Sequence, residues 1–468
     1  MSVRKQGLLA GAYLSLREGA GMGIRLLGML ALTRLLGPTQ YGLYAGSAAI
    51  IATLGTFAQM GTEIHLIRRE HEPERVVYDQ TFTFLVISTL VACAVGYAVS
   101  FGLGDWMGDQ RFVGPFRVLL ISIPVNVLWV PAQAMLERAF HYKRLAWIEI
   151  GGDIALYGVG VTLAATGIGV WAPVAGYLAW QTWLLLASCV AARYLPRLRW
   201  SRAGLREVAG WGFSYSPGLW LRQIEGVVGP LVIGRFAGAA GVGYATFVAR
   251  LVDTLAFPAR ASWRLSIVSF GKVQSDLARL KRGAAESMAL QVLALGPFFA
   301  GFSLAITIVV PLLFGHRWSH AIPLYPYLAL SAIALAVQNS QMTVLYVFKR
   351  NMAVAKVNAA RVLLLVPAAF LLLPAMGLIG FGVATAITTL SLLVSDREVR
   401  AVVPPDYRRT MPWLIAFIPP LFIVTIGLPV GLLLFLPTVF VLTTPAPRRQ
   451  LSGYAMLVRS RLRRPATA

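Results

Sequence analysis

Stretches of about twenty apolar residues, the length needed to cross roughly 30 Å of hydrocarbon at about 1.5 Å per helical residue, recur from one end of this chain to the other. A chain written this way takes a bilayer as its solvent. In lipid every backbone N–H and C=O has to be paired internally, so spanning segments are helices or closed barrels. Barrel strands would alternate in polarity over about ten residues, and no such alternation is present. The composition agrees, because 57% of the 468 residues are hydrophobic, 13% are charged and the mean hydropathy is +0.69, well beyond the roughly 45–50% apolar content of soluble domains. Hydropathy predicts an all-α polytopic membrane protein with spans near 12–34, 42–67, 78–101, 114–138, 145–166, 170–192, 208–234, 242–267, 286–314, 321–348, 353–374, 377–396, 411–427 and 429–444. Gly37-Pro38, Pro404-Pro405 and Gly427-Leu428-Pro429 mark breaks between them, since neither glycine nor proline supports a regular turn there. The first span carries Arg17, Glu18 and Arg25 with no small-residue cleavage pattern after it, so it reads as a retained helix and not a signal peptide.

Orientation follows from the connectors, because short loops rich in Lys and Arg resist translocation. One alternate set holds Arg4/Lys5, Arg68/Arg69/Arg75, Lys143/Arg144, five arginines from Arg193 to Arg206, Lys272 to Arg282, Lys349/Arg350, Arg397 to Arg409 and the arginine-rich tail. The other set is short and poor in bases: 35–41, 102–113, 167–169, 235–241, 315–320, 375–376 and 428. The basic set is predicted to be cytoplasmic, with both termini inside and an even number of spans. The formal charge of +23 is therefore spread over helix ends and does not form the concentrated patch of a nucleic-acid binder.

The longest basic connector, 193–207, divides the chain, and a repeat lies across it. Arg34, Gly37 and Gly42 recur as Arg235, Gly238 and Gly243 at one constant offset of 201 residues. Gly167-Ile-Gly-Val-Trp-Ala172 has a looser partner in Gly377-Leu-Ile-Gly-Phe-Gly382. The expected organisation is an N-terminal lobe 1–192, the linker 193–207, a C-terminal lobe 208–400, appended helices in 401–444 and a basic tail 445–468. Parallel repeats of this kind are a transporter architecture with the site between the halves.

The string Thr33-Arg-Leu-Leu-Gly-Pro-Thr-Gln-Tyr-Gly-Leu-Tyr44 resembles the junction of helices 1 and 2 in polysaccharide flippases of the multidrug/oligosaccharidyl-lipid/polysaccharide exporter superfamily. Met135-Leu-Glu-Arg-Ala-Phe-His-Tyr-Lys-Arg144, followed by Gly167-Ile-Gly-Val-Trp-Ala-Pro-Val-Ala-Gly176, is similar to the helix 4–6 signature of the O-antigen and exopolysaccharide branch. The resemblance implies two six-helix lobes around a cavity lined by helices 1, 2, 7 and 8. It also implies an undecaprenyl-diphosphate-linked glycan as cargo, membrane lipids as surroundings, a polymerase and glycosyltransferases as pathway partners, and a bacterial cytoplasmic membrane location. Pro173 departs from the pattern, where leucine is expected, and predicts a kink in helix 6.

Ionisable residues inside spans are costly and usually face a cavity or a partner. Glu18 and Arg25 lie two turns apart on helix 1, Gln59 and Glu63 one turn apart on helix 2, and helix 7 carries Arg222 and Glu225. Arg250, Asp253, Phe257, Arg260 and Arg264 form a stripe along helix 8. Arginines outnumber acids on these faces, and guanidinium groups hold diphosphate oxygens bidentately. The candidate substrate site is therefore Arg17, Arg25, Arg222, Arg250, Arg260 and Arg264, with Glu18, Glu63, Glu225 and Asp253 as candidate ion-coupling acids. A bland alternative also fits the pattern: Arg222–Glu225 and Arg250–Asp253 as helical ion pairs, with Arg260 and Arg264 snorkelling to the surface. Asn126, Gln133, Gln338, Asn339 and Gln341 could meet sugar hydroxyls or bond between helices equally well.

Other chemistry finds little support. Gly19-Ala-Gly-Met-Gly23 lies within a membrane helix with no strand before it, which suits close helix packing and not a dinucleotide loop. His316 and His320 lack a third metal ligand, Cys93 and Cys189 read as small core residues, and no cofactor is implied. A multidrug exporter of the same superfamily would favour an acidic cavity. A glycosyltransferase or polymerase of the pathway would need a larger outer loop or an acidic motif, and no Asp-x-Asp or ATP-binding loop occurs. The expectation is a transporter, not an enzyme. Trp106, Trp171 and Trp318 are placed at the outer interface.

Overall fold

The computed structural model describes residues 3–69, 71–258 and 276–463. Among them every regular element is helical. The helices are α1 (Val3–Gln59), α2 (Thr62–Ile67), α3 (Arg75–Met107), α4 (Val113–Leu120), α5 (Ser122–Leu128), α6 (Val130–Arg138), α7 (Tyr142–Ala165), α8 (Trp171–Ala192), α9 (Arg202–Tyr215) and α10 (Pro217–Leu255). They continue with α11 (Leu277–Phe314), α12 (Tyr325–Val347), α13 (Asn351–Met376), α14 (Leu378–Ile387), α15 (Ser391–Arg400), α16 (Met411–Leu421), α17 (Ile423–Ile426), α18 (Leu428–Gly431), α19 (Leu436–Thr443) and α20 (Pro445–Arg463).

Ten helical stretches among the described residues are long and apolar enough to cross a membrane. The sequence predicts more because it splits the chain where the structure only bends it. α1 runs through Gly37 (φ 70°, ψ 173°) and α10 through Gly238 (φ 64°, ψ −171°), so each carries two of the expected spans. A shorter apolar helical stretch, Met411–Ile426, and Pro429–Thr443 fall on the last two expected spans, while Pro445–Tyr454, bent by 74° from Pro429–Thr443, lies in the expected basic tail. The architecture is consistent with fourteen crossings.

Proline explains the breaks inside spans. Pro124 and Pro131 each withhold an N–H and crowd the carbonyl four residues earlier, and the helix breaks at Ile121 and Trp129, dividing one crossing into α4, α5 and α6. Pro173 does not kink helix 6 as expected. It is the third residue of α8, inside the first turn, where its N–H would have no intrahelical partner. The expected helix from residue 208 instead starts at Arg202 behind Ser201, whose side chain accepts from Gly204 N at 3.2 Å, and it breaks again before Pro217.

The chain forms two compact units. One comprises the chain to Thr246 with Pro311–Trp318 and Ala369–Leu378, and the other Phe247–Val310, Ser319–Ala368 and the chain from Ile379. The first has cores around Leu66, Tyr78, Ala132 and Tyr194 and around Leu136, Leu145, Ile148 and Leu184. The second packs Leu280, Val344, Leu345, Val357 and Val399 together. Large apolar side chains are exposed throughout, including Leu90, Val190, Leu312, Leu363 and Leu393. Such a surface would aggregate in water, and it costs nothing against lipid tails.

In the first unit the two glycine-bearing copies of the repeat meet. A Cβ on Gly42 would strike Ala239 O and come within 2.7 Å of Gly243 N, while one on Gly243 would strike Pro38 O and come within 3.3 Å of Gly42 N. Pro38 and Ala239 are themselves 201 residues apart, so the contact is reciprocal, with backbone against backbone on both sides. Within this unit the base-poor connectors gather at the glycine end, with Gln40 Oε1 accepting from Val170 N and Arg235 donating to Asp105 O. The basic connectors meet one another at a second, basic end, with Arg138 donating to Leu66 O and Arg75 to Leu195 O.

Candidate functional site

Arg17 and Glu18 lie on α1, and their side chains fall outside the described residues, as do Arg260 and Arg264 altogether. Arg25 is half-exposed, and its guanidinium NH1 stands 3.7 Å from Asp153 Oδ2 on α7, an acid only 10% exposed. Gly21 makes room for this pair, since a Cβ there would sit 3.0 Å from Arg25 NH2 and 3.3 Å from Asp153 Oδ2. Sequence proximity offered Arg25 only Glu18. The structure supplies a partner 128 positions away, on a different helix.

Glu63 sits on α2, beyond a break at Met60 (φ 47°) and Gly61 (φ 63°). Gln59 Nε2 donates to its Oε2 at 3.4 Å, and Gln133 Nε2 donates to its Oε1 at 3.2 Å and to Glu137 Oε1 at 2.8 Å. One amide thus bridges two carboxylates, and Glu137 had no place in the sequence reading. Arg222 and Glu225 lie on α10 before the Gly238 kink, the first exposed and the second half-buried. Arg250 and Asp253 lie after the kink, both exposed. Of the expected stripe, Arg250 and Asp253 are on α10; Ala256 is already a turn, and Phe257 packs edge-on against Phe298 with ring centroids 6.0 Å apart.

The glutamines resolve toward structure. Gln338 Nε2 donates to Ser391 Oγ at 2.9 Å, and its Oε1 accepts from Arg361 NH1 at 3.4 Å. Gln341 Nε2 donates to Tyr407 Oη at 2.5 Å, and its Oε1 accepts from Ser395. Both glutamines are buried, so interhelical bonding accounts for them. Trp318 also departs from expectation. It is 1% exposed, donates to Thr33 O at 3.1 Å and is flanked edge-on by Tyr41 and Tyr244. Trp106 and Trp171 are exposed, as an interfacial position requires.

At the basic end Arg138 is the organiser. Its NH1 donates to Leu66 O, Ile67 O and Arg69 O at 3.0, 2.8 and 2.9 Å, and its NH2 donates to His71 O at 3.0 Å. It thereby satisfies carbonyls that the end of α2 leaves open. Asp79, 1% exposed, accepts from Tyr194 Oη at 3.0 Å and from Arg197 N at 3.3 Å, with Arg199 Nε 3.7 Å away. Burial and the bond to Asp79 push the Tyr194 phenol far above its usual range, so it remains a donor. Arg69 and His65 of the α2 region pair with Glu207 of α9.

Sequence reasoning also passed over Arg361, which is 4% exposed inside the apolar helix α13. The signal was available, since a cation within an apolar span stands out by itself. Among the described residues no group of three or more His, Cys, Asp or Glu is placed to hold a metal.

These features define a polytopic α-helical membrane protein with repeated, glycine-kinked helices and arginines exposed within its spans. The family model described as "Polysaccharide biosynthesis protein" matches residues 31–323, and the chain belongs to that family. It is 22% identical over 378 residues to the lipopolysaccharide biosynthesis protein WzxC of Escherichia coli (strain K12), covering 79% of this chain and 75% of that one. It is also 22% identical over 312 residues to the succinoglycan biosynthesis transport protein ExoT of Rhizobium meliloti (strain 1021), covering 66% of this chain and 63% of that one. Among solved structures, the lipid II flippase MurJ in an inward closed conformation superposes with a TM-score of 0.74 at 13% identity, over 97% of this chain and 100% of that one. An inward-facing multidrug resistance MATE family transporter of the MOP superfamily gives 0.59 at 16% identity, over 84% and 98%. At these identities the structural likeness establishes the fold.

Proposed function

We propose that this chain flips a lipid-diphosphate-linked oligosaccharide, an O-antigen or exopolysaccharide repeat unit, across a bacterial cytoplasmic membrane by alternating access. The glycine end faces outward, and the basic end and both termini face the cytoplasm. The segments 1–192 and 208–400 act as lobes joined by 193–207. The reading draws support from the family, from the transport role in ExoT's name and from the fold shared with MurJ. The observation that carries it is the exposure of Arg25, Arg222 and Arg250 on apolar helices α1 and α10. An exposed guanidinium group in a membrane span can take an anionic ligand alongside its protein contacts, and a diphosphate offers bidentate oxygens. A cationic drug would meet repulsion at these groups.

The Arg25–Asp153 pair adds a coupling route. A diphosphate that takes Arg25 leaves Asp153 without its counter-ion, and a buried carboxylate so released gains affinity for a proton. Asp153 therefore joins Glu18, Glu63, Glu225 and Asp253 as a coupling acid. Flipping of an undecaprenyl-diphosphate oligosaccharide in proteoliposomes, with and without a pH gradient, tests both parts. Arg25→Ala and Arg260→Ala should abolish flipping at normal protein incorporation. Normal flipping by both Ala and Lys replacements would remove the arginines from diphosphate binding, and rates insensitive to the gradient in wild type, Glu18→Gln, Asp153→Asn and Asp253→Asn would remove proton coupling. A reporter fused at residue 200 should be cytoplasmic.

A further inference from the structure

The reciprocal glycine contact has arginines beside it that the substrate reading does not use. Arg34, three residues before Gly37, donates from NH1 to Leu313 O at 3.2 Å. Arg235, three residues before Gly238, donates from NH1 to Asp105 O at 3.3 Å and to Trp106 O at 3.5 Å. Leu313 and Trp106 hold the same place on their helices. Each is the second residue before a terminating glycine of positive φ, Gly315 (96°) after α11 and Gly108 (63°) after α3. The last carbonyls of a helix run out of intrahelical donors and carry its negative pole; of the three, Asp105 O also accepts from Gly108 N at 3.3 Å. Each arginine therefore caps the carboxyl end of a membrane helix from the other copy of the repeat, α11 for the first copy and α3 for the second. Arg235 also stacks over Trp106, its Cζ 5.8 Å from the ring centroid, and Trp106 Nε1 donates to Leu231 O at 3.2 Å. All of these residues belong to the first compact unit.

We infer that Arg34 and Arg235 are positioning residues forming a two-fold latch that holds the glycine end closed, so that both caps release together when that end opens. The inference rests on the alternating-access reading for its purpose, though not for its geometry. The Gly42–Gly243 contact brings the two copies to backbone distance, and only at that distance can an arginine on one copy reach the helix end of the other. The caps act across the contact, and the glycines permit it. Because the two bonds serve one equilibrium, their losses should multiply.

Thiol labelling tests this without needing transport. In full-length protein with Cys93 and Cys189 replaced by serine, Val242→Cys places a smaller side chain at a fully buried position beside Gly46. The probe is a membrane-impermeant maleimide applied to intact cells. Arg34→Ala and Arg235→Ala should each raise the labelling rate by about two- to five-fold, and the double variant by roughly four- to twenty-five-fold. Arg34→Lys and Arg235→Lys keep a cation at the helix end without the fork, should fall between wild type and alanine, and serve wherever an alanine variant fails to reach the membrane. Labelling equal to wild type in all of these variants overturns the latch, as does an effect of Arg34→Ala that Arg235→Ala does not share. The latch and the transport reading fail separately. Raised labelling without flipping activity in wild type leaves the latch standing and removes the transporter, whereas unchanged labelling with normal flipping does the reverse.

Discussion

The two ends of the first compact unit are closed by different means. At the glycine end two copies of one motif meet as near-mirrors of each other's chemistry, with Gly42 against Ala239 and Gly243 against Pro38. At the basic end the contacts are one-sided and made by long side chains: Arg138 on four carbonyls, Asp79 on Tyr194 and the linker, and Arg69 and His65 on Glu207. A backbone-to-backbone contact depends on shape and tolerates no added atom, whereas a side-chain contact depends on charge and can be made and broken at small cost. The glycine end is thus geometrically strict and the basic end electrostatically adjustable.

The largest effect should come from adding a methyl group at the strict end. Gly42→Ala and Gly243→Ala each drive a Cβ into a carbonyl of the partner segment, an overpacking that should cost at least about 3 kcal/mol because backbone cannot rotate away. The thermal midpoint of purified protein in detergent measures it. Gly301→Ala, on α11 with nothing within 4 Å of its Cβ, should be neutral or stabilising by up to about 1 kcal/mol. Two glycine variants of unequal effect would break the reciprocity.

Next comes Arg138→Ala at the basic end. Loss of charge-assisted bonds to four carbonyls should cost about 2 kcal/mol, and Arg138→Lys should recover only part of it, because an ammonium lacks the fork that spans several acceptors. A smaller loss, about 1 kcal/mol, is expected for Tyr194→Phe, which removes one of the donors to buried Asp79. Both are read as shifts of the same thermal midpoint.

This contrast also decides what could be read without a structure. The 201-residue repeat survived in the sequence because positive φ at Gly37 and Gly238, and close approach at Gly42 and Gly243, each demand a residue without a side chain. The spans were legible for the same kind of reason, since lipid enforces apolar length. The basic end was opaque, and so were the charge pairs inside the spans. Nothing in the local pattern ties Arg25 to Asp153, Arg69 to Glu207 or Tyr194 to Asp79, because each pairing joins residues more than a hundred positions apart. Arg138 lies in the Met135–Arg144 stretch at the end of an expected span, and nothing local marks it as the clamp on the carbonyls from Leu66 to His71. Trp318 was misplaced because tryptophan near a helix end usually marks an interface, and its burial against Tyr41 and Tyr244 depends on the fold. Arg361 and Asp153 sit in apolar spans outside helices 1, 2, 7 and 8, where the resemblance places no cavity wall.

The smallest effect should belong to the most adjustable contact. Arg69 and Glu207 join the end of α2 to α9 with side chains 28% and 58% exposed, and His65 Nε2 stands 4.0 Å from the same carboxylate while its ring lies 5.1 Å from that of Trp211. An ion pair this exposed contributes at most about 1 kcal/mol, because water screens it and two long side chains must be ordered to form it. Glu207→Gln should therefore leave the thermal midpoint nearly unchanged and raise thiol labelling of a cysteine placed at Gly212, whose Cβ would lie 3.1 Å from Met60 O, by less than about five-fold in inverted vesicles. That difference should vanish near 1 M salt, where the screening length falls to about 3 Å. The arginine caps of the glycine end, held over helix carbonyls beside a close backbone contact, should keep more of their effect at the same salt. Equal salt sensitivity at the two ends would mean that both are held by charge alone, and the contrast between a strict end and an adjustable one would be lost.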